Sequence, residues 1–454
     1  MQRPRLGQPR LTTDLAAAIG ADAVAPESER ARYATDASGL VGLPDVVVRP
    51  ADTAAVAAVL AVAQAHGVAV VPMGARTGLA GGAVARGGGI ALSLERLDMI
   101  APVDRGNLRL TAGAGARTVD VHAAARAAGL FYPPDPASLE SSTIGGNVAT
   151  NAGGPRCFKY GVTAEYVLAL EAVTAEGRIF RTGPATRKSA TGTRIAQLLV
   201  GSEGTLAVVT EATLRLLPRP AARLAATASF DSVEAAGEAV AAIVADGLVP
   251  SALELLDAEC LELGGLPAAA ALLLVEVDGP DAASVGTQLS LVEHALRRTG
   301  ARRFERARGE HDIERLWHAR RALSAALTSA AAHHLFQDVC VPPAAIPEAL
   351  RRIAEIAVRH RVRIPVFGHA GDGNLHPSVL YDDAGEADAA HAAEAEVLRT
   401  AVALGGTVSA EHGIGLLKVP FLAETIDPVA LEVARTVKRA LDPRGILNPG
   451  KLLP

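Results

Sequence analysis

Two prolines one residue apart, Pro218 and Pro220, divide the chain into segments of different rhythm. Proline lacks the N–H that a helix or a central strand requires, so neither element runs through this point. Beyond it, strand-length and helix-length apolar patterns alternate. Leu224–Phe230 predicts a strand, Val233–Ala245 a helix, and Ser251–Leu256 and Ala271–Val277 two strands. Ala282–Arg298 predicts a helix, Arg302–Ala307 a strand, Glu310–Ala330 a long helix, Leu335–Val341 a strand and Pro347–His360 a helix. This succession fits an α+β domain with its helices on one face of a sheet. Pro428–Leu441 predicts one more helix before a Pro/Gly-rich tail.

The segment before the prolines has another texture. A lead-in of helix and loop covers 14–36, and Val46–Arg49 predicts a short strand. Asp52 and Thr53 start a helix, Ala54–His66, which Gly67 stops; Ala69–Val71 is the next strand. From Pro72 to Gly89 the chain is thick with glycine. Strands and turns then alternate to about residue 218, with a helix over Val119–Ala128 and a strand over Ala207–Leu216.

Composition narrows the function. The 454 residues suggest two or three domains, and 49% hydrophobic against 20% charged residues is globular chemistry. A net charge of −5 excludes a chain-wide basic footprint for nucleic acid. Cys157, Cys260 and Cys340 are odd in number and far apart, which argues against a disulfide framework and fits a reducing compartment. The basic start MQRPRLGQPR has no apolar stretch of signal-peptide type, and Ala54–Ala63 and Ala268–Val275 fall short of the ~20 residues a spanning helix needs. A soluble, cytoplasmic chain without a transmembrane segment is expected. Peripheral attachment to a membrane stays open.

Three loops are suited to a phosphate-bearing ligand. In the first, Met73, Gly74, Ala75, Arg76, Thr77, Gly78 and Gly82 follow a strand. Without Cβ atoms in the way, consecutive N–H groups can face one anion, and Thr77 adds a hydroxyl. The reading is a pyrophosphate cradle or a glycine-rich hairpin. A second loop runs from Asp135 and Ser138 through Thr143, Gly145, Gly146 and Asn147 to Asn151. Residues this small and polar are not expected to form a core. A third, with Glu203 and Gly204, precedes the strand at 207. Two further matches are decoys. Gly113–Thr118 resembles a dinucleotide fingerprint but lacks its third glycine and a ribose-binding acid, and Gly445–Lys451 has Walker A spacing with Leu452 where Ser or Thr is needed.

The most chemical segment beyond the prolines is Phe367–His376, where a glycine turn between two strands can bring His369 and His376 together. Glu411 follows 35 residues later. Two imidazoles and a carboxylate suit catalytic zinc, and equally non-haem iron. The alternative is two turn histidines and an exposed acid. His412 comes directly after Glu411; in an extended segment it points away from that acid and can act as a base near neutral pH.

In this order, Pro72–Gly82, Asp135–Gly154, Gly201–Thr213, Gly368–His376, Ser409–Gly415 and Leu441–Lys451 resemble the FAD-dependent 2-hydroxyacid dehydrogenases of the vanillyl-alcohol-oxidase/p-cresol-methylhydroxylase superfamily. That group includes bacterial glycolate oxidase flavoprotein, D-lactate dehydrogenase and D-2-hydroxyglutarate dehydrogenase. The resemblance implies an N-terminal lead-in over 1–39 and a two-part FAD-binding domain over 40–218. It also implies an α+β substrate cap with an antiparallel sheet over 219–405, and a segment, 406–454, returning to close the flavin site. The first loop would hold the FAD pyrophosphate. Asp135, Ser138, Thr143, Gly145, Gly146, Asn147 and Asn151 would line the flavin, with Glu203, Gly204 and Asn448 nearby. No histidine stands between Pro72 and Gly82, so the FAD is expected to be non-covalent.

The resemblance further makes His369, His376 and Glu411 ligands of Zn2+ or another divalent metal, and His412 the base. Arg320, in Trp317-His-Ala-Arg320, would meet a substrate carboxylate, with Ser324 one turn on. Phe336 stands where the hydroxyglutarate enzymes have lysine, and Ser378 where they have asparagine, which weakens the case for a dicarboxylate; a D-lactate-like monocarboxylate is favoured, with D-2-hydroxyglutarate or glycolate as the alternative. Arg76 departs from the glycine commoner at its position. The expected reaction is metal-assisted oxidation of a 2-hydroxyacid to the 2-oxoacid, with electrons leaving to a quinone, a cytochrome or an electron-transfer flavoprotein. A homodimer stays open. The remoter readings are a zinc hydrolase and a non-catalytic flavin subunit, but no HExxH or GxSxG is present.

Overall fold

The computed structural model describes residues 8 to 453. The chain folds into two compact units that interleave along the sequence. The first takes the chain up to Ala152, then Val162–Arg219, then everything from Glu411. The second takes Gly153–Gly161 and Pro220–Ala410. Among the described residues no helix is long and apolar enough to cross a membrane.

In the first unit, a three-stranded parallel sheet places Ile90–Ser93 between Val46–Val48 and Val70–Met73. The helices Gln8–Ile19 and Thr53–His66 supply Leu11, Leu15, Val56, Val59 and Leu60 to the core that buries it. Asp52 caps the second helix by accepting from Ala55 N, and Gly67 ends it in the left-handed conformation. The helix Gln8–Ile19 starts earlier than the expected lead-in. A four-stranded antiparallel sheet follows, in the order Arg109–Gly113, Val208–Arg215, Val167–Val173, Ile179–Thr182.

The segment 135–154 departs from expectation. Ile144–Thr150 is a helix whose Ile144, Asn147 and Val148 are buried, so this small-residue stretch does enter the core. Thr143 caps it by accepting from Gly146 N. Gly145 permits the packing, because a Cβ there would collide with Ala114.

In the second unit, an antiparallel sheet runs Arg303–Arg306, Ala222–Phe230, Ala271–Gly279, Ala252–Asp257, Val366–His369, Asn374–Tyr381, His333–Phe336. The strand expected over 335–341 is two, because Val339–Cys340 pairs separately with Asn374–Tyr381. Between them the Asp338 carboxylate takes Ser409 Oγ at 2.9 Å and Ala410 N at 3.0 Å. Helix Glu310–Thr328 covers one sheet face with Ile313, Trp317, Leu323 and Leu327 against Ala252, Leu256, Leu272, Leu274 and Phe367. The alanine-rich helix Ala387–Ala403 was not foreseen in the sequence.

Candidate active site

The histidine hairpin of the second unit is built by its turn. Gly373 sits at φ +85° between the strands Val366–His369 and Asn374–Tyr381, and a Cβ there would strike the Val341 carbonyl. The hairpin pairs Phe367 with His376 and His369 with Asn374. Both imidazoles are buried, with ring centroids 5.2 Å apart and planes nearly perpendicular. Phe336, in register with Ser378, stacks on His376 at 5.5 Å, and Phe367 lies 5.1 Å from the same ring. Ser378 is fully buried, and its Oγ has no hydrogen-bond partner among the described residues.

Two carboxylates here escaped sequence reasoning. Glu254 is wholly buried in the strand Ala252–Asp257, directly across the ladder from His369. Its Oε1 lies 2.7 Å from His369 Nδ1, and its Oε2 accepts from Arg320 Nε at 2.6 Å. Asp338, also fully buried, brings a carboxylate oxygen within 4.8 Å of a ring nitrogen of His376. A glutamate inside Ala-Leu-Glu-Leu-Leu reads as the outward face of an alternating strand. The only sequence signal was a strand with apolar residues on both sides of it.

Arg320 reaches this face from helix Glu310–Thr328. Its guanidinium carbon sits 4.5 Å over the Phe367 ring, and its buried Nη2 has no hydrogen-bond partner among the described residues. Three turns of helix are thus anchored at one end by Trp317, whose indole donates to Glu276 Oε2 at 2.7 Å, and at the other by Leu327. Ser324, one turn beyond Arg320, is exposed.

Glu411 and His412 belong to the first unit. The chain bends there instead of running extended, so His412 Nε2 lies 3.8 Å from Glu411 Oε1; the two side chains do not diverge as an extended segment would make them. The turn after them closes on Glu203, whose carboxylate accepts from Ile414 N at 2.7 Å and Gly415 N at 2.8 Å. Burial pushes the Glu203 carboxyl up, opposed by those two amides and by the charges of Lys451 and Lys418. Leu416 N donates to Ala80 O, which ties the same turn to the first glycine loop.

In that loop, no amide from Gly74 to Leu79 donates to a backbone carbonyl among the described residues. Gly78 faces open space. A run of uncommitted N–H groups on half-buried backbone fits a bound pyrophosphate. Arg76, at φ +59°, stacks over Tyr33 at 4.6 Å and accepts Ala37 N on its carbonyl.

The polar side chains expected around it make hydrogen bonds within the protein. Asn147 donates to Thr118 Oγ1, and Asn151, at φ +54°, accepts from Ala164 N. Asn448, at φ +41°, donates to the carbonyls of Gly82 and Glu203 and accepts from Lys451 Nζ. Asp135 and Ser138 are half-buried, and the Ser138 carbonyl accepts from the amides of Ser141 and Ser142. The decoys are structural: Thr118 opens a helix and its hydroxyl meets Ser142, while Lys451 is buried against Asn448.

Residues 219–452 match the family of FAD linked oxidases, C-terminal domain, and residues 44–183 match the FAD binding domain. The chain belongs to the FAD-linked oxidase family. It is 38% identical over 419 residues to the glycolate oxidase subunit GlcD of Bacillus subtilis (strain 168), covering 90% of this chain and 89% of that one. It is also 38% identical over 416 residues to D-lactate dehydrogenase of Archaeoglobus fulgidus, covering 90% and 91%. Among solved structures, substrate-bound p-cresol methylhydroxylase superposes with a TM-score of 0.82 at 16% identity, over 97% of this chain and 96% of that one. The fold is therefore a p-cresol-methylhydroxylase-type FAD-binding architecture joined to an α+β part with an antiparallel sheet. As a member, the chain is an FAD-linked oxidoreductase of the glycolate oxidase/D-lactate dehydrogenase type.

Proposed function

We propose that this oxidoreductase converts a D-2-hydroxy monocarboxylate, lactate-like or with a larger apolar tail, to the 2-oxoacid. The observation that carries the reading is Arg320. One of its guanidinium nitrogens is occupied by Glu254, and a second is buried without a partner among the described residues. An unsatisfied cationic donor is costly to bury, and a substrate carboxylate answers it. Phe336 and Phe367, beside His376, give an apolar tail a favourable surface. A second carboxylate would find no charge at Phe336, and burying it unpaired costs several kcal/mol.

His369, His376 and Glu411 are the proposed ligands of a divalent metal, zinc or another, with Asp338 as a further carboxylate beside His376. Two imidazole nitrogens and a carboxylate oxygen are a donor set that fits such an ion. When bound, the metal would supply a Lewis acid that lowers the pKa of the substrate hydroxyl. His412 takes the hydroxyl proton. The amides of the first glycine loop would hold FAD non-covalently, and when bound FAD would supply an acceptor for the hydride that leaves Cα. The O–H and Cα–H bonds break and one C=O bond forms, so proton and hydride balance. Arg320 fixes the carboxylate, and thereby the face of Cα presented. In this reading 40–218 with 406–454 forms the FAD-binding part, and 219–405 the cap. The relatives named as a subunit favour delivery of the electrons to a protein partner.

Reduction of an artificial dye, measured as kcat/KM for D-lactate, D-2-hydroxybutyrate, glycolate and D-2-hydroxyglutarate, tests the assignment. D-lactate and D-2-hydroxybutyrate should lead. A hydroxyglutarate value equal to or above theirs would overturn it.

A further inference from the structure

Glu254 has no solvent exposure, and its two oxygens serve two different candidate site residues, His369 and Arg320. We propose that Glu254 is a positioning residue that sets both the tautomer of His369 and the orientation of Arg320; this rests on the metal-assisted reading above. The chemistry follows from donors and acceptors. The guanidinium of Arg320 can only donate, and it occupies Glu254 Oε2. The Glu254 carboxylate can only accept, so the contact at Oε1 requires His369 to carry its proton on Nδ1. That tautomer leaves the lone pair on Nε2, the form in which imidazole binds a metal through that atom. At the other oxygen, fixing Arg320 through Nε rather than through its terminal nitrogens is what leaves Nη2 uncommitted.

The placement is built into the sheet. Glu254 and His369 are paired residues on adjacent antiparallel strands, where side chains stand side by side. Arg320 is held over Phe367, two residues before His369 on the same strand and hence on the same face. One carboxylate therefore couples the candidate metal ligand to the candidate carboxylate clamp, and an amide cannot replace it. In Glu254→Gln the side chain has one accepting atom and one donating atom. If the oxygen faces Arg320, the NH2 meets Nδ1 and drives the His369 proton to Nε2.

The test uses the FAD-loaded protein. Metal-stripped wild type and Glu254→Gln are titrated with Zn2+, and FAD content is measured on both. Glu254→Gln should keep its FAD, bind Zn2+ about tenfold to a hundredfold more weakly, and show a raised KM for hydroxyacid. Glu254→Asp, which restores the carboxylate, should recover part of the Zn2+ affinity. Equal Zn2+ affinity in wild type and Glu254→Gln would overturn the proposal. Failure of the wild type itself to bind one Zn2+ would instead overturn the metal-assisted reading. A second measurement needs no variant at Glu254: 15N spectra of histidine-labelled wild type, with His369 assigned by its loss in His369→Asn. The expected signal is a protonated Nδ1 and an unprotonated Nε2; the opposite tautomer contradicts the proposal.

Discussion

Arg320 Nε donates to Glu254 Oε2 at 2.6 Å inside an apolar helix–sheet interface, leaving Nη2 without a partner among the described residues. A lysine at this position has a single ammonium and no fork. It can satisfy Glu254 or reach a substrate carboxylate, but not both. Arg320→Lys should raise KM for D-lactate about tenfold to a hundredfold, the equivalent of one charged hydrogen bond, with FAD content unchanged. Steady-state kinetics of the purified variant would show it, and an unaltered KM would remove Arg320 from the carboxylate site.

His412 is held in a bend that Glu203 fixes through the amides of Ile414 and Gly415. The substitution His412→Ala leaves those bonds in place, so flavin content should persist. Turnover should fall about 10²–10⁴-fold, the usual effect of losing a general base. Near wild-type turnover in a flavin-loaded His412→Ala protein would place the base elsewhere.

Burial lowers the ammonium of Lys451 from 10.5 to about 8, although Asp36 and Glu203 pull the other way. Between those values the unfolded chain keeps a proton that the folded chain has lost. Folding stability from this group therefore rises with pH from about 8 towards 10.5, by up to about 3 kcal/mol, and the penalty of burying the charge is fully present below 8. Urea midpoints of wild type measured across that range should climb relative to those of Lys451→Met, in which the group is absent. Parallel pH dependences would show that Lys451 keeps an ordinary pKa.

Legibility tracked the kind of signal each element carries. The helices Val233–Ala245, Ala282–Arg298 and Pro428–Leu441 could be read from their apolar patterning, and the structure adds their caps, Ser232, Asp281 and Asp427, which accept first-turn amides. The histidine hairpin was readable because the turn demands glycine at Gly373. The helix Ile144–Thr150 was not, since glycine and threonine disfavour helix locally and tertiary packing on Ala114 overrides that preference. Glu254 and Asp338 were missed for a different reason. Their burial depends on partners far along the chain, Arg320 and His369 for one, Ser409 and Ala410 for the other. No local pattern distinguishes such an acid from one that faces water. Likewise Asn147, Asn151 and Asn448 were identifiable as special, but which protein groups their side chains meet, Thr118, Ala164 and the carbonyls of Gly82 and Glu203, depends on the three-dimensional fold.

If the proposed transfer of hydride from a D-2-hydroxy monocarboxylate to the chain's own FAD takes place, substrate alone must reduce the flavin. Purified, FAD-loaded protein is mixed with D-lactate in the absence of oxygen and of any other acceptor, and the flavin absorbance is followed together with the pyruvate formed. The yellow flavin band should bleach, with one pyruvate formed per FAD reduced. A flavin that stays oxidised with D-lactate and with D-2-hydroxybutyrate would contradict it.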